Sequence, residues 1–302
     1  MSAKALAGLA LLSLAAACAP PIQRPAPLPD PEQVTPQQWA ATCTDWDKWD
    51  KPAPPYRIHG STYYVGTCGI AAILIAGPQG HILIDSGTEA GAEVVMANIG
   101  KLGFRLNEIA TILHSHEHFD HVGGLAKVKR ASGAHVAASP EAAPVLRTGE
   151  DSPDDPQYGM YDAMVPVEVD VVVGDGETVR TETATLTAIA TPGHTPGALS
   201  WRWRSCNDAG DCRNIVYADS LSPVSSDSYR FSERPAYVAA YRAGLERLAA
   251  TPCDILLTPH PSASEMVKRA GSGSLLGGVN CAEYAAAVGK RLDARLAEEA
   301  AP

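Results

Sequence analysis

The chain has 302 residues, which is enough for one large domain or two small ones with a sizeable buried core. Hydrophobic residues make up 45% of it and charged residues 19%, as in folded globular proteins and unlike disordered chains. The net charge of −10 argues against binding to a nucleic-acid backbone, and no apolar run reaches the ~20 residues needed to cross a bilayer. Polytopic membrane proteins, collagens, coiled coils and basic nucleic-acid-binding proteins are therefore excluded.

The first 17 residues have the pattern of an export signal. Lys4 gives a positive start, residues 5–17 are rich in Ala and Leu, and three alanines precede Cys18. We therefore expect a signal peptide over residues 1–17. Small residues before a cysteine also resemble a bacterial lipobox, but Ala15 stands where Leu is usual. Lipidation of Cys18 and simple cleavage are thus two alternatives, and lipidated Cys18 is the expected route of any membrane attachment.

Residues 18–38 contain seven prolines and show no hydrophobic periodicity. Such a composition predicts an extended, Pro-rich linker. We expect a single folded domain over residues 39–302.

Six cysteines follow Cys18, and an exported protein meets an oxidising compartment. The even number predicts disulfides rather than free thiols, although many pairings are possible. No C-x-x-C spacing occurs, so a cysteine zinc site is not expected. The six are Cys43, Cys68, Cys206, Cys212, Cys253 and Cys281.

Apolar runs and helical patterns alternate along the rest of the chain, with no internal repeat after residue 36. Helices appear in both halves after groups of strands, so we expect an α/β fold with two mixed sheets face to face and helices outside. Two polar, Pro-containing stretches, 147–166 and 220–235, have the length of functional loops. Strands are predicted over residues 63–65, 70–76, 81–84, 109–113, 169–173, 184–190, 199–203, 214–217 and 254–257. Helices are predicted over residues 89–102, 122–131, 235–248 and 282–296.

A dense group of metal-ligand side chains follows the predicted strand 109–113. The sequence His116-x-His118-x-Asp120-His121 places four such side chains within six residues. His116 and His118 alternate along the chain and so point the same way, whereas Asp120 and His121 turn toward a second position. Two adjacent metals accommodate these side chains better than one tetrahedral metal, so the pattern predicts a di-metal site.

Two further histidines follow predicted strands on rigid turns. His194 lies in the sequence Thr-Pro-Gly-His-Thr-Pro-Gly (191–197), and His260 lies between two prolines. A site with three histidines keeps an open position for water, which zinc acidifies to a pKa of ~7. Hydrolysis by a metal-bridging hydroxide is the implied chemistry, with zinc favoured by the imidazole-rich set and iron or manganese as alternatives. The expected ligands are His116, His118 and His194 for the first metal and Asp120, His121 and His260 for the second, with Asp120 also orienting the hydroxide.

The remaining histidines are expected to be structural. His114 does not fit the ligand spacing and is predicted to pack or orient the loop, and His59, His81 and His135 stand alone in strand-like sequence. Asp85, at the end of strand 81–84, is expected to orient a ligand histidine or its loop, because metal-bound histidines usually donate their other N–H to an acceptor.

This motif, together with His194 and His260, resembles the metallo-β-lactamase superfamily. The resemblance runs from about Cys43 to the C-terminal helix and implies a four-layer αββα sandwich with two Zn²⁺ per chain at one edge of the sheets. Residues 217–222, 258–262 and 115–121 together resemble the third subclass of metallo-β-lactamases, and the cysteines resemble those of its Adelaide imipenemase branch. By that analogy the disulfides are Cys43–Cys68, Cys206–Cys212 and Cys253–Cys281.

The resemblance implies an exported, monomeric, periplasmic enzyme that hydrolyses the amide bond of penicillins, cephalosporins and carbapenems and so confers antibiotic resistance. In this reading Ser220 stands where the first subclass has a zinc-binding Cys, and Ser222 matches a serine implicated in binding the substrate carboxylate. Gln157 and Tyr158, in the loop 147–166, are expected to contact substrate without taking part in the chemistry.

The alternative function is that of an exported di-metal lactonase, esterase or thioesterase on the same fold. Glyoxalase II and lactonases have a Gly-Asp pair near position 219 whose carboxylate bridges both metals, and Asp219 fits that reading. The lactamase interpretation is preferred because Leu221-Ser222 and the prolines around His260 accompany it.

Overall fold

The computed structural model describes residues 34–301, so the predicted signal peptide, Cys18 and most of the predicted linker lie outside the described residues. The first helix, α1 (Pro36–Thr42), begins inside the stretch predicted as an extended linker. Pro36 is helical because a proline in the first turn gives up no hydrogen bond, and Thr35 caps the helix by accepting from the backbone N–H of Gln38. The folded domain therefore begins before residue 39, and Trp39 is fully buried in it.

Two β-sheets form the centre of the fold, in neighbour order β1-β2-β3-β4-β5-β6-β7 and β12-β11-β10-β9-β8. The first sheet is antiparallel from β1 to β4 and parallel from β4 to β7, and in the second sheet only β11 and β12 are parallel. The strands of the first sheet are β1 (Tyr56–His59), β2 (Thr62–Tyr64), β3 (Ile73–Ile75), β4 (His81–Ile84), β5 (Ile109–Leu113), β6 (His135–Ala138) and β7 (Val171–Val172). Those of the second sheet are β8 (Thr178–Arg180), β9 (Thr185–Ala190), β10 (Leu199–Cys206), β11 (Cys212–Tyr217) and β12 (Ile255–Leu257).

The helices cover the outer faces of the two sheets, which gives the four-layer αββα arrangement expected from the resemblance. Those against the first sheet are α2 (Gly91–Lys101), α4 (Leu125–Ser132) and α5 (Ala142–Thr148), and those against the second sheet are α6 (Pro235–Ala249) and α8 (Cys281–Glu299). The shorter helices α3 (Phe119–Val122) and α7 (Met266–Gly271) lie in the segments that follow β5 and β12, and α7 packs, with α1, against the cluster between the sheets. One hydrophobic cluster lies between the sheets, a second joins the first sheet to α2, α4 and α5, and a third joins the second sheet to α6 and α8. β3 and β4 are buried on both faces, which explains their unbroken apolar sequences. Within residues 34–301, no helix has both the length and the apolar character needed to span a membrane.

The sequence pattern predicts the long elements better than the short ones. The predicted helix 122–131 is divided into α3 and α4, because Gly123 and Gly124 interrupt it and glycine weakens a helix interior. No prediction covers β1, β6, β8, α5 or α7, which span three to seven residues and are too short to show a clear hydrophobic period. The two loops predicted to be functional are confirmed as stretches almost free of regular structure.

Three disulfides join the six cysteines in the pairs expected from the resemblance: Cys43–Cys68, Cys206–Cys212 and Cys253–Cys281. The second closes the hairpin between β10 and β11, and the third ties the start of α8 to the turn before β12. The first holds the segment after α1 against the loop after β2. Each bond constrains the unfolded chain and so stabilises the fold.

A buried arginine fixes the segment that follows β12. The Arg269 guanidinium, on α7, donates to the carbonyl oxygens of Leu256 at 2.8 Å, Ser264 at 3.2 Å and Gly277 at 3.1 Å, and also to that of Leu275. Its side chain thus binds the end of β12 to the short 3₁₀ turn that carries the chain away from His260. Hydrogen bonds to a charged donor contribute about 1.5–3 kcal/mol each.

We expect Arg269→Met to lower the free energy of unfolding by about 3 kcal/mol, because the buried carbonyl groups lose their donors. Urea denaturation followed by circular dichroism measures this change. Lys268→Met is the matched control, since Lys268 is exposed and its surface ion pair with Glu265 contributes little. Equal stability of the two variants would contradict the structural role of Arg269.

Candidate metal centre

The predicted metal ligands meet at one edge of the sandwich. His116 and His118 lie in the loop after β5, and Asp120 and His121 lie in the short helix α3 that follows. His194 lies between β9 and β10, and His260 follows β12. The three segments therefore come from strand ends in both sheets, as the sequence predicted.

His116, His118 and His194 form the first group, and one ligand atom from each lies within 4.8 Å of the others. Their ring centroids are 4.7–5.0 Å apart, and all three side chains are buried. Burial, reinforced by the neighbouring histidines, lowers the pKa of His116 well below its ordinary value and the pKa of His194 to about 3. Both imidazoles are therefore neutral, which is the form that binds a metal.

The second group contains His116, Asp120 and His121, again with one ligand atom from each within 4.8 Å of the others. Asp120 Oδ2 lies 3.0 Å from His121 Nε2 and 3.3 Å from His260 Nε2. The His121 and His260 rings are 5.0 Å apart. His260 thus adjoins this group as expected but lies outside the tighter cluster, whereas His116 belongs to both groups.

Asp219 is buried and contacts the Nδ1 side of the His116 ring. Its Oδ1 is 2.7 Å from His116 Nδ1, and its Oδ2 accepts from the backbone N–H of Leu221 at 3.2 Å. The other ring nitrogen, His116 Nε2, is buried and has no hydrogen-bond partner within residues 34–301. An unpartnered buried imidazole nitrogen, on a histidine grouped with two more, is the arrangement that a bound metal would satisfy.

His118 and His194 are also held by one nitrogen each. His118 Nε2 lies 2.9 Å from Asp155 Oδ2, and His194 Nδ1 donates to the backbone oxygen of Ser222 at 2.9 Å. Burial alone would lower the pKa of His118, but the hydrogen bond and charge of Asp155 raise it. His118 therefore keeps Nδ1 for the centre of the group, whereas the second nitrogen of His194, Nε2, lies 3.3 Å from the Gln157 amide nitrogen.

Asp85 fixes the loop that carries the first two histidines. Its Oδ1 accepts from the backbone N–H of Ser115 at 2.7 Å, and its Oδ2 accepts from the hydroxyls of Ser115 at 2.8 Å and Tyr217 at 2.7 Å. The same oxygen lies 3.8 Å from His121 Nδ1. Asp85 has a φ of +63°, a left-handed conformation that costs energy outside glycine and that these contacts maintain. The structure thus places Asp85 where the sequence predicted an orienting carboxylate.

The histidines predicted to be structural have structural contacts. His114 is buried, accepts from the backbone N–H of Ser139 at 3.1 Å, and its carbonyl oxygen accepts from the Trp201 indole at 2.8 Å. His59 contacts the Asp211 backbone, His81 accepts from the Gly77 N–H, and His135 is exposed.

Comparison with known proteins identifies the family. A family model described as the metallo-β-lactamase superfamily matches residues 65–209. The solved structure of the MIM-2 metallo-β-lactamase is 54% identical with a TM-score of 0.84, over 88% of this chain and 99% of that one. MIM-1 from Novosphingobium pentaromativorans is 47% identical with a TM-score of 0.84, over 87% and 97% of the two chains. The chain belongs to the metallo-β-lactamase superfamily.

The resemblance to the third subclass is confirmed as well. MEM-A1, a subclass B3 metallo-β-lactamase isolated from a soil metagenome library, is 43% identical with a TM-score of 0.80, over 84% of this chain and 99% of that one. A curated hydroxyacylglutathione hydrolase from Rhodopseudomonas palustris (strain ATCC BAA-98 / CGA009) is 30% identical over 152 residues. That match covers 48% of each chain, so the chain spans half or less of the curated relatives it matches.

The donor set of this family member fits two metal ions. Neutral imidazoles and one carboxylate suit zinc and other borderline divalent metals. The unpartnered Nε2 of His116 and the overlap of the two groups at that residue agree with a pair of adjacent ions. The residues therefore fit a di-metal site.

The residues predicted to contact substrate lie beside this site. Gln157 is buried with its Nε2 3.3 Å from His194 Nε2, and Ser222 Oγ lies 3.2 Å from His194 Nδ1. Ser220 Oγ is buried and has no hydrogen-bond partner within residues 34–301. Tyr158 is 52% exposed. The ring of Tyr161, in the same loop, lies 5.7 Å from that of His118.

Sequence reasoning missed two buried carboxylates and two tryptophans. Asp155 lies in the loop 147–166, from which substrate contacts but no catalytic role were expected. Glu117, between two ligands, accepts from the Thr195 hydroxyl at 2.6 Å and the Gly197 N–H at 2.9 Å, so it fastens the His194 loop to the His116 loop. Trp46 and Trp49 lie with their rings 6.2 and 6.0 Å from that of His260. Of these four residues, only Glu117 could have been noticed in the sequence, because it is an acidic residue inside the His116–His121 motif.

Gly197 tests how tightly the His194 loop is packed. A Cβ at this position would lie 2.6 Å from the backbone nitrogen of Ala142 and 2.8 Å from Glu117 Oε1. We expect Gly197→Ala to lower the free energy of unfolding by about 1–3 kcal/mol, the usual cost of overpacking. Gly100→Ala is the control, because its Cβ would meet nothing within 4 Å on helix α2 and should leave stability unchanged or slightly higher. Urea denaturation compares the two, and equal effects would contradict tight packing at Gly197.

Proposed function

We propose that the protein hydrolyses the β-lactam amide bond of penicillins, cephalosporins and carbapenems in a zinc-dependent reaction, and so confers antibiotic resistance. The observation that carries the proposal is the set of six ligand-type side chains at one edge of the fold, in a chain 54% identical to nearly all of a metallo-β-lactamase. All six come from one chain, which agrees with a monomeric enzyme.

We assign His116, His118 and His194 to the first zinc and Asp120, His121 and His260 to the second. Zinc held there would lower the pKa of a coordinated water to about 7 and so would supply a hydroxide nucleophile at neutral pH. The Asp120 carboxylate, which lies between His121 and His260, would orient that nucleophile toward the substrate carbonyl carbon.

The histidines need fixed orientations for this role. Asp219 accepts from His116, Asp155 contacts His118 and the Ser222 backbone oxygen accepts from His194. Such partners set the tautomer and direction of each ring. Asp85 holds the backbone at Ser115, immediately before His116.

We assign Ser220, Ser222 and Gln157 to substrate binding. The two serines offer hydroxyl donors to a substrate carboxylate, directly or through water. The Gln157 amide adjoins His194 and reaches the site from the opposite loop.

An ester, lactone or thioester hydrolase is the second candidate, because the curated relatives are hydroxyacylglutathione hydrolases. The position of Asp219 favours the first candidate. Both of its carboxylate oxygens contact other groups, His116 Nδ1 and the Leu221 N–H, and it belongs to neither ligand group. We therefore assign Asp219 to orienting His116 rather than to bridging two metals.

The purified chain should hydrolyse a carbapenem and a cephalosporin, lose this activity with a chelator and regain it when zinc is restored. His116→Ala should abolish turnover, because it removes a side chain common to both groups. His135→Ala, at an exposed histidine, should leave turnover unchanged. Absorbance at the β-lactam band measures the rate.

An acyl-homoserine lactone and an acylglutathione thioester are assayed in parallel. Turnover of either one with inert β-lactams would overturn the lactamase assignment and leave the hydrolytic metal centre intact.

We further propose export to the periplasm, with a lipid on Cys18 holding the domain at the membrane through the Pro-rich linker. Three disulfides support an oxidising compartment. Expressed in a bacterium, the chain should fractionate with membranes, and Cys18→Ser should release it in soluble form. Membrane association unchanged by Cys18→Ser would exclude the lipid anchor.

A further inference from the structure

Three residues of the loop at 150–166 are buried, and Met164 near its end packs against the cluster between the first sheet and its helices. Asp155, Pro156 and Gln157 are buried, and the other residues from 150 to 166 are exposed or half-buried. We call Asp155–Gln157 the loop anchor. A buried polar tripeptide within an exposed loop requires specific partners, because an unpaired buried carboxylate or amide is costly.

Each residue of the loop anchor has such a partner. Asp155 Oδ2 lies 2.9 Å from His118 Nε2, and its Oδ1 accepts from the Gln157 N–H at 2.7 Å. The Pro156 carbonyl oxygen accepts from the Ser226 N–H at 2.8 Å, which joins the loop to the second long loop. The Gln157 amide lies 3.3 Å from His194 Nε2.

The other hydrogen bonds of the loop are internal to it. Among residues 151–163, which the structure describes in full, every other hydrogen bond joins two residues of the same segment, such as Gly159 N–H to Asp151 and the Tyr161 hydroxyl to Gln157. The position of the loop over the site thus depends on the loop anchor and on the contact of Tyr161 with Phe119 and His118.

We propose that Asp155 is a positioning residue that couples occupancy of the first metal group to the order of this loop. The His118 Nε2 is engaged by Asp155, so Nδ1 is the nitrogen left for a metal. A metal on Nδ1 fixes the ring, and the fixed ring gives a fixed partner to the Asp155 carboxylate, which also accepts from the Gln157 backbone N–H. Linkage makes the effect reciprocal: the ordered loop raises metal affinity by the factor by which metal favours the ordered loop.

This coupling determines when the substrate-binding residues are all in place. Gln157 reaches the centre only while Asp155 holds the loop down, so the chain presents its full substrate site once the first metal group is loaded. The proposal rests on metal binding by His118, which is part of the proposed function, and is independent of the substrate's identity.

The test compares the full-length wild type with Asp155→Ala, Asp155→Asn and Asp154→Ala, each with and without zinc and with no substrate present. Asp154 is the matched control, since it is the exposed neighbour and its loss changes the charge equally. Zinc affinity is measured by competition with a chelator. Amide hydrogen exchange of residues 151–163 reports the order of the loop.

In the wild type and Asp154→Ala, zinc should slow exchange across 151–163. Asp155→Ala should weaken the binding of one zinc equivalent by about 10–100-fold and remove the slowing, because the outer partner of a ligand histidine is lost. The zinc affinity and the zinc-dependent slowing of Asp155→Asn should lie between those of the wild type and Asp155→Ala. Its single amide oxygen must accept from both His118 and the Gln157 N–H, which the two carboxylate oxygens of Asp155 accept from separately. Asp155→Asn also keeps the test valid if Asp155→Ala does not fold.

Zinc affinity and exchange in both Asp155 variants equal to those of Asp154→Ala would overturn the proposal. Slowed exchange with zinc in a wild type that does not hydrolyse β-lactams would overturn the proposed function and leave this inference standing. Normal β-lactam turnover with amide exchange unaffected by zinc would overturn this inference and leave the proposed function standing.

Discussion

The hydrogen bond between Asp219 and His116 joins the two sheets at the edge where the metal ligands meet. His116 follows β5 of the first sheet and Asp219 follows β11 of the second, and both side chains are fully buried. Two more contacts cross at the same edge: the Tyr217 hydroxyl donates to Asp85 at 2.7 Å, and the Trp201 indole donates to the His114 carbonyl at 2.8 Å. A satisfied polar network in a low-dielectric interior is specific, because slippage of one sheet would leave several groups unpaired.

Removing these polar groups from water costs free energy, which their hydrogen-bond partners must offset. It raises the pKa of Asp219 to about 8 and that of Glu117 to about 7, since a charged carboxylate is less stable away from water. Both carboxylates accept hydrogen bonds from backbone N–H groups of the loops they hold, Leu221 for Asp219 and Gly197 for Glu117. The same contacts that reduce the cost of burial therefore aim the histidines, which links the stability of this edge to its chemistry.

The open side of the site is built from chain segments with less support. The two long loops meet where Ser226 donates to the Pro156 carbonyl, and Phe119 packs against Tyr161 at 4.9 Å. Trp46 and Trp49 complete this rim from the segment after α1, with 72% and 39% of their surface exposed. A rigid polar edge with adaptable walls is the usual division in enzymes, because ligands must be precise whereas a substrate must enter and leave.

The amino-acid sequence by itself determined the ligand chemistry and the class of fold. His116, His118, Asp120 and His121 are close along the chain, so their spacing alone indicates two metals, and alternating strands and helices indicate an αβ sandwich. The pairing of the cysteines came from family resemblance, since the residues alone allow many pairings. Tertiary structure decided which groups orient the ligands. Asp155 and Asp219 lie 37 and 103 residues from the histidines they contact, and no local pattern specifies such a pair. Those contacts exist because sheet packing and loop burial bring distant backbone segments to one edge, where each buried nitrogen and oxygen must find a partner.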